Sequence, residues 1–249
     1  MSETLDAIVT AGARLPPALA SRVGTDVKAL ARIGGRTLLE IAVEALAGTA
    51  GVARTIVVAP RSARSCGVRP DVWIDEFANG HENLLAALGA VRTPRALFAA
   101  SDLPFLTSRA VLDFVARVPA QAAGAYPIFE RGEFEAAFPN ARSKFVRLAD
   151  GCWTGGSVML LEPRALLARA SLVRRAFDAR KNPLGLAALL GMRFAVKFLV
   201  GQARVGDVER RAAQLMGDPI AAIRGADPSL AMDCDEACEF DYAIERASA

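Results

Sequence analysis

Histidine and closely paired cysteines are nearly missing from this chain of 249 residues. It contains one histidine, His81, and four cysteines, none of which form a C-x-x-C pair. Zinc sites of common spacing need several such groups close together, so a zinc-binding module is excluded. We expect free thiols in a reducing compartment.

Long uncharged apolar runs are missing as well. The longest weakly charged stretch, 184–201, still carries Arg193 and Lys197, and the first residues lack the positive charges of a secretory signal. We therefore expect a cytoplasmic protein with no stable membrane insertion.

Neither sign of charge is in large excess. Lys and Arg number 30 against 27 Asp and Glu, which gives a net charge of +3, and the basic residues are not interleaved with aromatic ones. These features exclude nucleic acid as the expected partner. What the chain does have is apolar side chains, 53% of the total, and this is enough to bury a substantial core.

In the first half, short apolar segments alternate with segments of helical periodicity. Thr37 and Glu40 form a T-x-x-E capping box, which predicts a helix beginning at about Thr37. The alternation predicts right-handed crossovers and a mainly parallel sheet with helices on both faces, which is an α/β fold. Strands are predicted at 5–11, 54–60, 71–75 and 95–101, and helices at 37–46 and 81–91.

The second half has a weaker pattern. A strand is expected at 122–129, an irregular segment at 132–151, and a glycine turn leading into another strand before Pro163. Three or four short helices should follow up to Met216, then a strand at 219–225 and a helix at the end of the acidic segment 232–247. We interpret residues 1–249 as one domain with a helical elaboration in its second half.

Ligands of parallel α/β sheets lie beyond the carboxyl ends of the strands. The loop after Ala11 offers backbone N–H groups around Gly12 and three cations, Arg14, Arg22 and Lys28, for a triphosphate. In SDLPFLT, Asp102 follows a buried strand and could supply one of the few carboxylates that Mg²⁺ requires. From this segment alone, a metal ligand and a turn-capping residue are equally good interpretations of Asp102.

Four segments, DAIVTAGAR, KALARIGGRTLLEIAVEAL, LFAASDLPFLT and MDCDEACEFDYA, occur in an order that resembles the MobA-like nucleotidyltransferase family. The resemblance spans nearly the whole chain and is weakest at 124–225. It implies a GT-A-like (Rossmann-like) three-layer sandwich. It also implies Mg²⁺-dependent transfer of a nucleotidyl group from a nucleoside triphosphate to a phosphorylated small molecule, such as a cofactor precursor or sugar phosphate, with release of pyrophosphate.

The resemblance also implies roles for individual residues. Lys28 and Asp102 would be catalytic, and Asp102 would bind the metal with Asp233 or Asp235. Thr154, Gly155 and Gly156 would contact the acceptor. The nucleotide-binding positions would be Ala11, Gly12, Ala13, Arg14, Lys28 and Gly80.

Two departures from the family pattern are Ala13, where relatives have a second glycine, and Val27, where they have a proline. A nucleotide-binding protein without catalysis is therefore one alternative. A GT-A glycosyltransferase is another, although the D-x-D of Asp233 and Asp235 lies close to the C-terminus, whereas in that class it is expected at the position of Asp102.

Three further features leave alternatives open. His81 could touch the nucleotide, but a surface or capping position is the simpler interpretation. The apolar segment 184–200 favours core helices or a homodimer contact. An apolar acceptor pocket or a contact with a membrane is a weaker alternative. A basic cluster could recruit an anionic acceptor or form a solvated helix face; its members are Arg164, Arg169, Arg174, Arg175, Arg180 and Lys181.

Overall fold

The computed structural model describes residues 4–179 and 182–248. Arg180 and Lys181 of the basic cluster therefore lie outside the described residues. The strands are β1 (Leu5–Thr10), β2 (Arg32–Ile33), β3 (Arg36–Thr37), β4 (Val52–Ala59), β5 (Val72–Asp75), β6 (Ala96–Ala100), β7 (Gly124–Glu130), β8 (Val146–Leu148), β9 (Gly151–Gly155), β10 (Val158–Leu161) and β11 (Ile220–Ile223).

The helices alternate with these strands in the first half of the chain and follow one another in the second. They are α1 (Pro17–Val23), α2 (Leu38–Ala47), α3 (Gly80–Ala90), α4 (Ser108–Arg117), α5 (Arg131–Ala137), α6 (Pro163–Ala168), α7 (Ala170–Ala179), α8 (Pro183–Leu189), α9 (Met192–Leu199), α10 (Val205–Met216) and α11 (Ala237–Ser248).

One large sheet has the strand order β5-β4-β1-β6-β10-β7-β9-β8, with β11 beside β7, and β2 and β3 form a separate hairpin. The four strands from the first half are mutually parallel, with Ile8 opposite Ile56 and Phe98. β10 runs antiparallel to both of its neighbours. The predicted α/β class, a GT-A-like three-layer arrangement on a largely parallel sheet, is confirmed.

Helices cover both faces of the sheet because successive strand residues point in opposite directions. In β1, Ala7 and Val9 join the core beneath α2, α4 and α5, while Ile8 joins the core beneath α3 and α7. Strands buried on both faces have nearly continuous apolar sequences. This burial explains why β1 and β6 lack the polar alternation of a half-exposed strand.

The capping box predicted for α2 is present. The Thr37 hydroxyl accepts a hydrogen bond from Glu40 N (3.1 Å), and the Glu40 carboxylate accepts one from Thr37 N (2.6 Å). These two bonds satisfy backbone donors that the first turn of a helix leaves unpaired.

Two expectations for the second half were wrong. The segment expected to be irregular contains α5 and β8, and the described residues between Pro163 and Met216 form five helices rather than three or four. α5 has only seven residues, too few for a clear periodicity, and it is held by the buried Phe134 and by the Glu130 carboxylate, which accepts from Gly132 N. Gly191, at φ 104°, separates α8 from α9.

None of the described helices is both long enough and apolar enough to cross a bilayer.

Candidate active site

The loop after β1 folds back so that Lys28 returns to the end of that strand. Ala11 N donates to Val58 O (2.8 Å), and Lys28 N donates to Ala13 O (3.0 Å). Ala13 does not need a positive φ, because Asn140 is the only non-glycine residue in the described chain that has one. Alanine in place of the family's second glycine therefore causes no backbone strain here.

The ammonium group of Lys28 lies between two carboxylates from distant parts of the chain. Its Nζ donates to Asp102 Oδ2 (2.8 Å) and also to Asp235 Oδ1. Burial alone lowers the pKa of Lys28, but the negative charges of Asp102 and Asp235 outweigh that effect and raise the pKa above its usual value. Lys28 is thus a fixed positive charge at neutral pH, and it does not act as a base.

Asp102 joins the first half of the chain to the C-terminal segment. It follows β6, and its carbonyl oxygen accepts a hydrogen bond from Cys234 N (3.0 Å). Its Oδ1 is buried and has no hydrogen-bond partner among the residues that the structure describes. A buried carboxylate oxygen without a partner is costly, so it requires an explanation such as an ion that binds there.

The acidic C-terminal segment is held in place by Glu239, at the start of α11. The buried Glu239 carboxylate accepts hydrogen bonds from Asp235 N (2.6 Å) and Glu236 N (2.7 Å). Burial, together with the negative charges of Asp102, Asp235 and Glu239, raises the pKa of Asp233 to about 7. This region concentrates more negative charge than Lys28 alone neutralises.

These carboxylates fit a sparse magnesium site rather than an all-protein cage. No group of three or more Asp, Glu, His or Cys side chains in the described ranges is arranged to hold a metal ion. Mg²⁺ is usually bound by one or two carboxylates, with phosphate oxygens and water completing its shell. The unpartnered Asp102 Oδ1 meets that requirement.

Close packing in the loop after β1 requires glycine at position 12. A Cβ at this position would lie 2.7 Å from Glu76 Oε2 and 2.9 Å from Asn83 Nδ2. The same Glu76 carboxylate forms an ion pair with Arg14, whose guanidinium also donates to Gly12 O (2.8 Å). Arg14 is thus engaged by Glu76 and, at 3.5 Å, by Asp26.

Helix α7, in the helical second half of the chain, covers part of the start of α3. A Cβ on Gly80 would lie 3.1 Å from the Phe177 ring, and His81 is buried and accepts a hydrogen bond from Arg174 Nε (3.3 Å). The surface or capping interpretation of His81 was therefore wrong. Arg174 itself is exposed, as the solvated-face interpretation of the basic cluster expects, although its Nε is engaged by His81.

Of the three residues predicted to form a turn that contacts the acceptor, Thr154 and Gly155 are the last residues of β9, and only Gly156 follows the strand. The Thr154 hydroxyl lies 3.0 Å from the Ser143 hydroxyl, and a Cβ on Gly155 would lie only 2.0 Å from the Tyr126 hydroxyl oxygen. A Cβ on Gly156 would lie 2.9 Å from Leu230 O, just before the acidic segment. The structure thus brings the predicted turn next to two residues, Ser143 and Tyr126, that sequence reasoning missed.

Tyr126 lies on the sheet at the side of the acidic segment. Burial and the negative charge of Asp233 raise its pKa to about 12, so its hydroxyl remains protonated and can donate a hydrogen bond. A tyrosine on a strand has no local sequence pattern that marks it as functional. The pairing of β7 with β9 sets Gly155 opposite Ile128, two residues beyond Tyr126, and this register brings the Tyr126 hydroxyl beside Gly155.

Comparison with known proteins identifies the family that shares this architecture. A model of the MobA-like NTP transferase domain matches residues 7–193, about three quarters of the chain. A search of curated proteins gave no match.

Solved structures with the same fold include one relative of clear sequence similarity. A hypothetical transferase from Thermus thermophilus is 33% identical, with a TM-score of 0.83 over 95% of this chain and 99% of its own. A 2-C-methyl-D-erythritol 4-phosphate cytidylyltransferase, also from Thermus thermophilus, is 16% identical, with a TM-score of 0.56 over the full length of both chains. A CMP:2-keto-3-deoxy-manno-octonic acid synthetase solved with CTP is 15% identical, with a TM-score of 0.56 over 99% of both chains.

Proposed function

The chain belongs to the MobA-like NTP transferase domain family, and from this premise we propose that it is a Mg²⁺-dependent enzyme that transfers a nucleotidyl group to a phosphorylated small molecule. The acceptor would be a cofactor precursor or a sugar phosphate. The general class, nucleotidyltransferase, is that of the family. The metal, the acceptor class and the residue roles are our proposal.

The observation that carries the proposal is the contact of Lys28 with Asp102 and Asp235. A buried ammonium between two carboxylates is a poor source of stability, because burying charges costs nearly as much as their pairing gains. The arrangement suits a site that binds a polyanion with its metal ion, because the anion is then a partner for the ammonium and the metal ion is a partner for the carboxylates. A triphosphate with Mg²⁺ has this composition.

Asp102, together with Asp233 or Asp235, would hold Mg²⁺, which would neutralise charge on the triphosphate oxygens. Lys28 would then turn from the carboxylates towards the phosphates and stabilise the negative charge that develops as pyrophosphate leaves. Because its pKa is raised, its charge is present throughout the neutral range.

The reaction would be a single displacement. An oxygen of the acceptor's phosphate would form a bond to the α-phosphorus, and the bond from that phosphorus to the bridging oxygen of the β-phosphate would break, releasing pyrophosphate. A phosphate oxygen is already anionic, so no side chain has to remove a proton. The loop containing Ser143 would attract the acceptor, since it also carries the cations Arg142 and Lys144.

Two alternatives make different predictions. A glycosyltransferase would hydrolyse or transfer from a nucleotide sugar, and the matched family model argues against that class. A nucleotide-binding protein without catalysis would bind nucleotide and release no pyrophosphate. The unstrained Ala13 removes one reason for favouring this second alternative.

The test is a panel of the four ribonucleoside triphosphates with Mg²⁺, scored by thermal stabilisation and then by pyrophosphate release with candidate sugar phosphates and cofactor precursors. Asp102→Ala should abolish Mg²⁺-dependent release while the protein stays folded. Asp113→Ala is the matched control, because Asp113 pairs with Arg117 on the surface of α4 (2.8 Å) and should be dispensable. Failure of all four nucleotides to bind would refute the proposal.

A further inference from the structure

The helical elaboration exposes an apolar face that the proposed reaction does not use. Met192 is 78% exposed and Leu199 is 69% exposed, and Val196 and Val200 are also exposed. The four positions follow the spacing i, i+4, i+7 and i+8, so they lie on one side of α9 and its C-cap. We call these four residues the outer face of α9.

This face does not result from a loosely attached helix. The opposite side of α9 buries Phe194 against Ala187 and Ala203, and Phe194 stacks on Phe198 with ring centroids 6.4 Å apart. Lys197 also anchors the helix through an ion pair with Asp207 on α10 (3.0 Å). α9 is therefore held from its inner side and presents a second apolar stripe outwards.

Most of the charges beside the outer face are positive. The sequence from 183 to 206 contains Arg193, Lys197 and Arg204, and of these three only Lys197 pairs with the next residue, Asp207. Arg193 and Arg204 form no ion pair with other residues in the described part of the chain. Arg147 lies across a cavity of about 460 Å³ from Leu199 and adds a further cation.

This combination favours one occupant. A two-fold contact between copies of the chain would bring Arg193 and Arg204 of both copies to the edges of one apolar patch, and the repulsion between these like charges disfavours it. An anionic bilayer surface supplies both an apolar layer for Met192 and Leu199 and negative head groups for the flanking cations. We propose that the outer face of α9 docks the protein reversibly on anionic membrane surfaces.

The experiment is co-sedimentation of the full-length protein with vesicles of phosphatidylcholine alone or of phosphatidylcholine with phosphatidylglycerol. The protein should partition onto the anionic vesicles, less at high salt, and not onto the neutral ones. The double variant Met192→Ser with Leu199→Ser should reduce partition at least about 10-fold. Arg193→Gln should reduce it about 5-fold.

The control is Leu112→Ser, which removes an exposed leucine on α4 and should leave partition unchanged. All variants replace exposed side chains, so an unchanged thermal midpoint should accompany them. Absence of wild-type binding to the anionic vesicles would overturn the proposal. So would a wild-type dimer in sedimentation velocity that the double variant converts to monomer, because the face would then be an interface between copies.

Discussion

The contact of Lys28 with Asp102 and Asp235 gives the sharpest prediction, because removing the ammonium leaves two carboxylates without their shared partner. In Lys28→Met the aliphatic stem is largely kept and the charge is lost. The Asp102 side chain is 15% exposed, whereas that of Asp235 is 49% exposed and can be solvated. Breaking a buried pair costs about 3–5 kcal/mol, so the lower end, about 3 kcal/mol, applies here.

For a chain of this size the thermal midpoint changes by about 2–4 °C per kcal/mol, so Lys28→Met should melt about 6–12 °C below wild type. Lys144→Met is the matched control. Lys144 also pairs with a carboxylate, Glu236 at 3.5 Å, but its side chain is 83% exposed. Exposed pairs contribute about 0–1 kcal/mol, so the control should melt within about 2–4 °C of wild type.

The pH dependence adds a second measurement. The pKa of Lys28 lies above its unfolded value, so its contribution is fully present at pH 5 and pH 8 in wild type. In Lys28→Met the positive charge that lowers the pKa of Asp233 is lost, so ionising the buried Asp233 in the folded state becomes more costly as pH rises. The difference in melting temperature between wild type and Lys28→Met should thus be larger at pH 8 than at pH 5, and Mg²⁺ should reduce this difference at pH 8. Equal melting of the two lysine variants, or a larger deficit at pH 5, would refute the reasoning.

Three further predictions test other parts of the site and fold. Gly155→Ala forces the Tyr126 ring to move and should raise the KM for the acceptor by about 10–100-fold, while the KM for the nucleotide stays unchanged. Steady-state kinetics measure both KM values, and a rise confined to the nucleotide KM would contradict the prediction. Because the pKa of Asp233 is raised, the folded state binds more protons than the unfolded state, and the free energy of unfolding should decrease as pH rises from about 4 to about 7. The increase in melting temperature on adding Mg²⁺ should be larger at pH 8 than at pH 6. Asp233→Asn should remove that difference. Thr37→Ala should lower the free energy of unfolding by about 1 kcal/mol in urea titrations, and an unchanged value would mean that the cap contributes nothing.

The first half of the fold could be predicted because its signals are local. Buried parallel strands such as β1 and β6 have continuous apolar sequences, and α2 begins at a capping box whose two residues are three positions apart. The second half gave weaker predictions, because α5 and the pairs α6/α7 and α8/α9 are too short for periodicity to fix their ends. Tertiary contacts, such as that of Phe194 in its small core, determine those elements.

The sequence by itself determined which residues were candidates at the site. Lys28, Asp102, Asp233 and Asp235 were found through ordered motifs, since each motif lies within a few residues of the chain. Only the tertiary structure decided that the ammonium of Lys28 joins Asp102 to Asp235, because the charges that meet there are 74 and 207 positions apart in sequence.

Tertiary structure also decided the parts of the site that no motif marks. Tyr126 adjoins Gly155 through strand pairing, and Glu76 covers Gly12 and occupies Arg14, although neither contact follows from the spacing of these residues along the chain. The sequence determines which functional groups a residue carries. Its partners and its burial, which set its charge state, depend on how distant segments of the chain pack together.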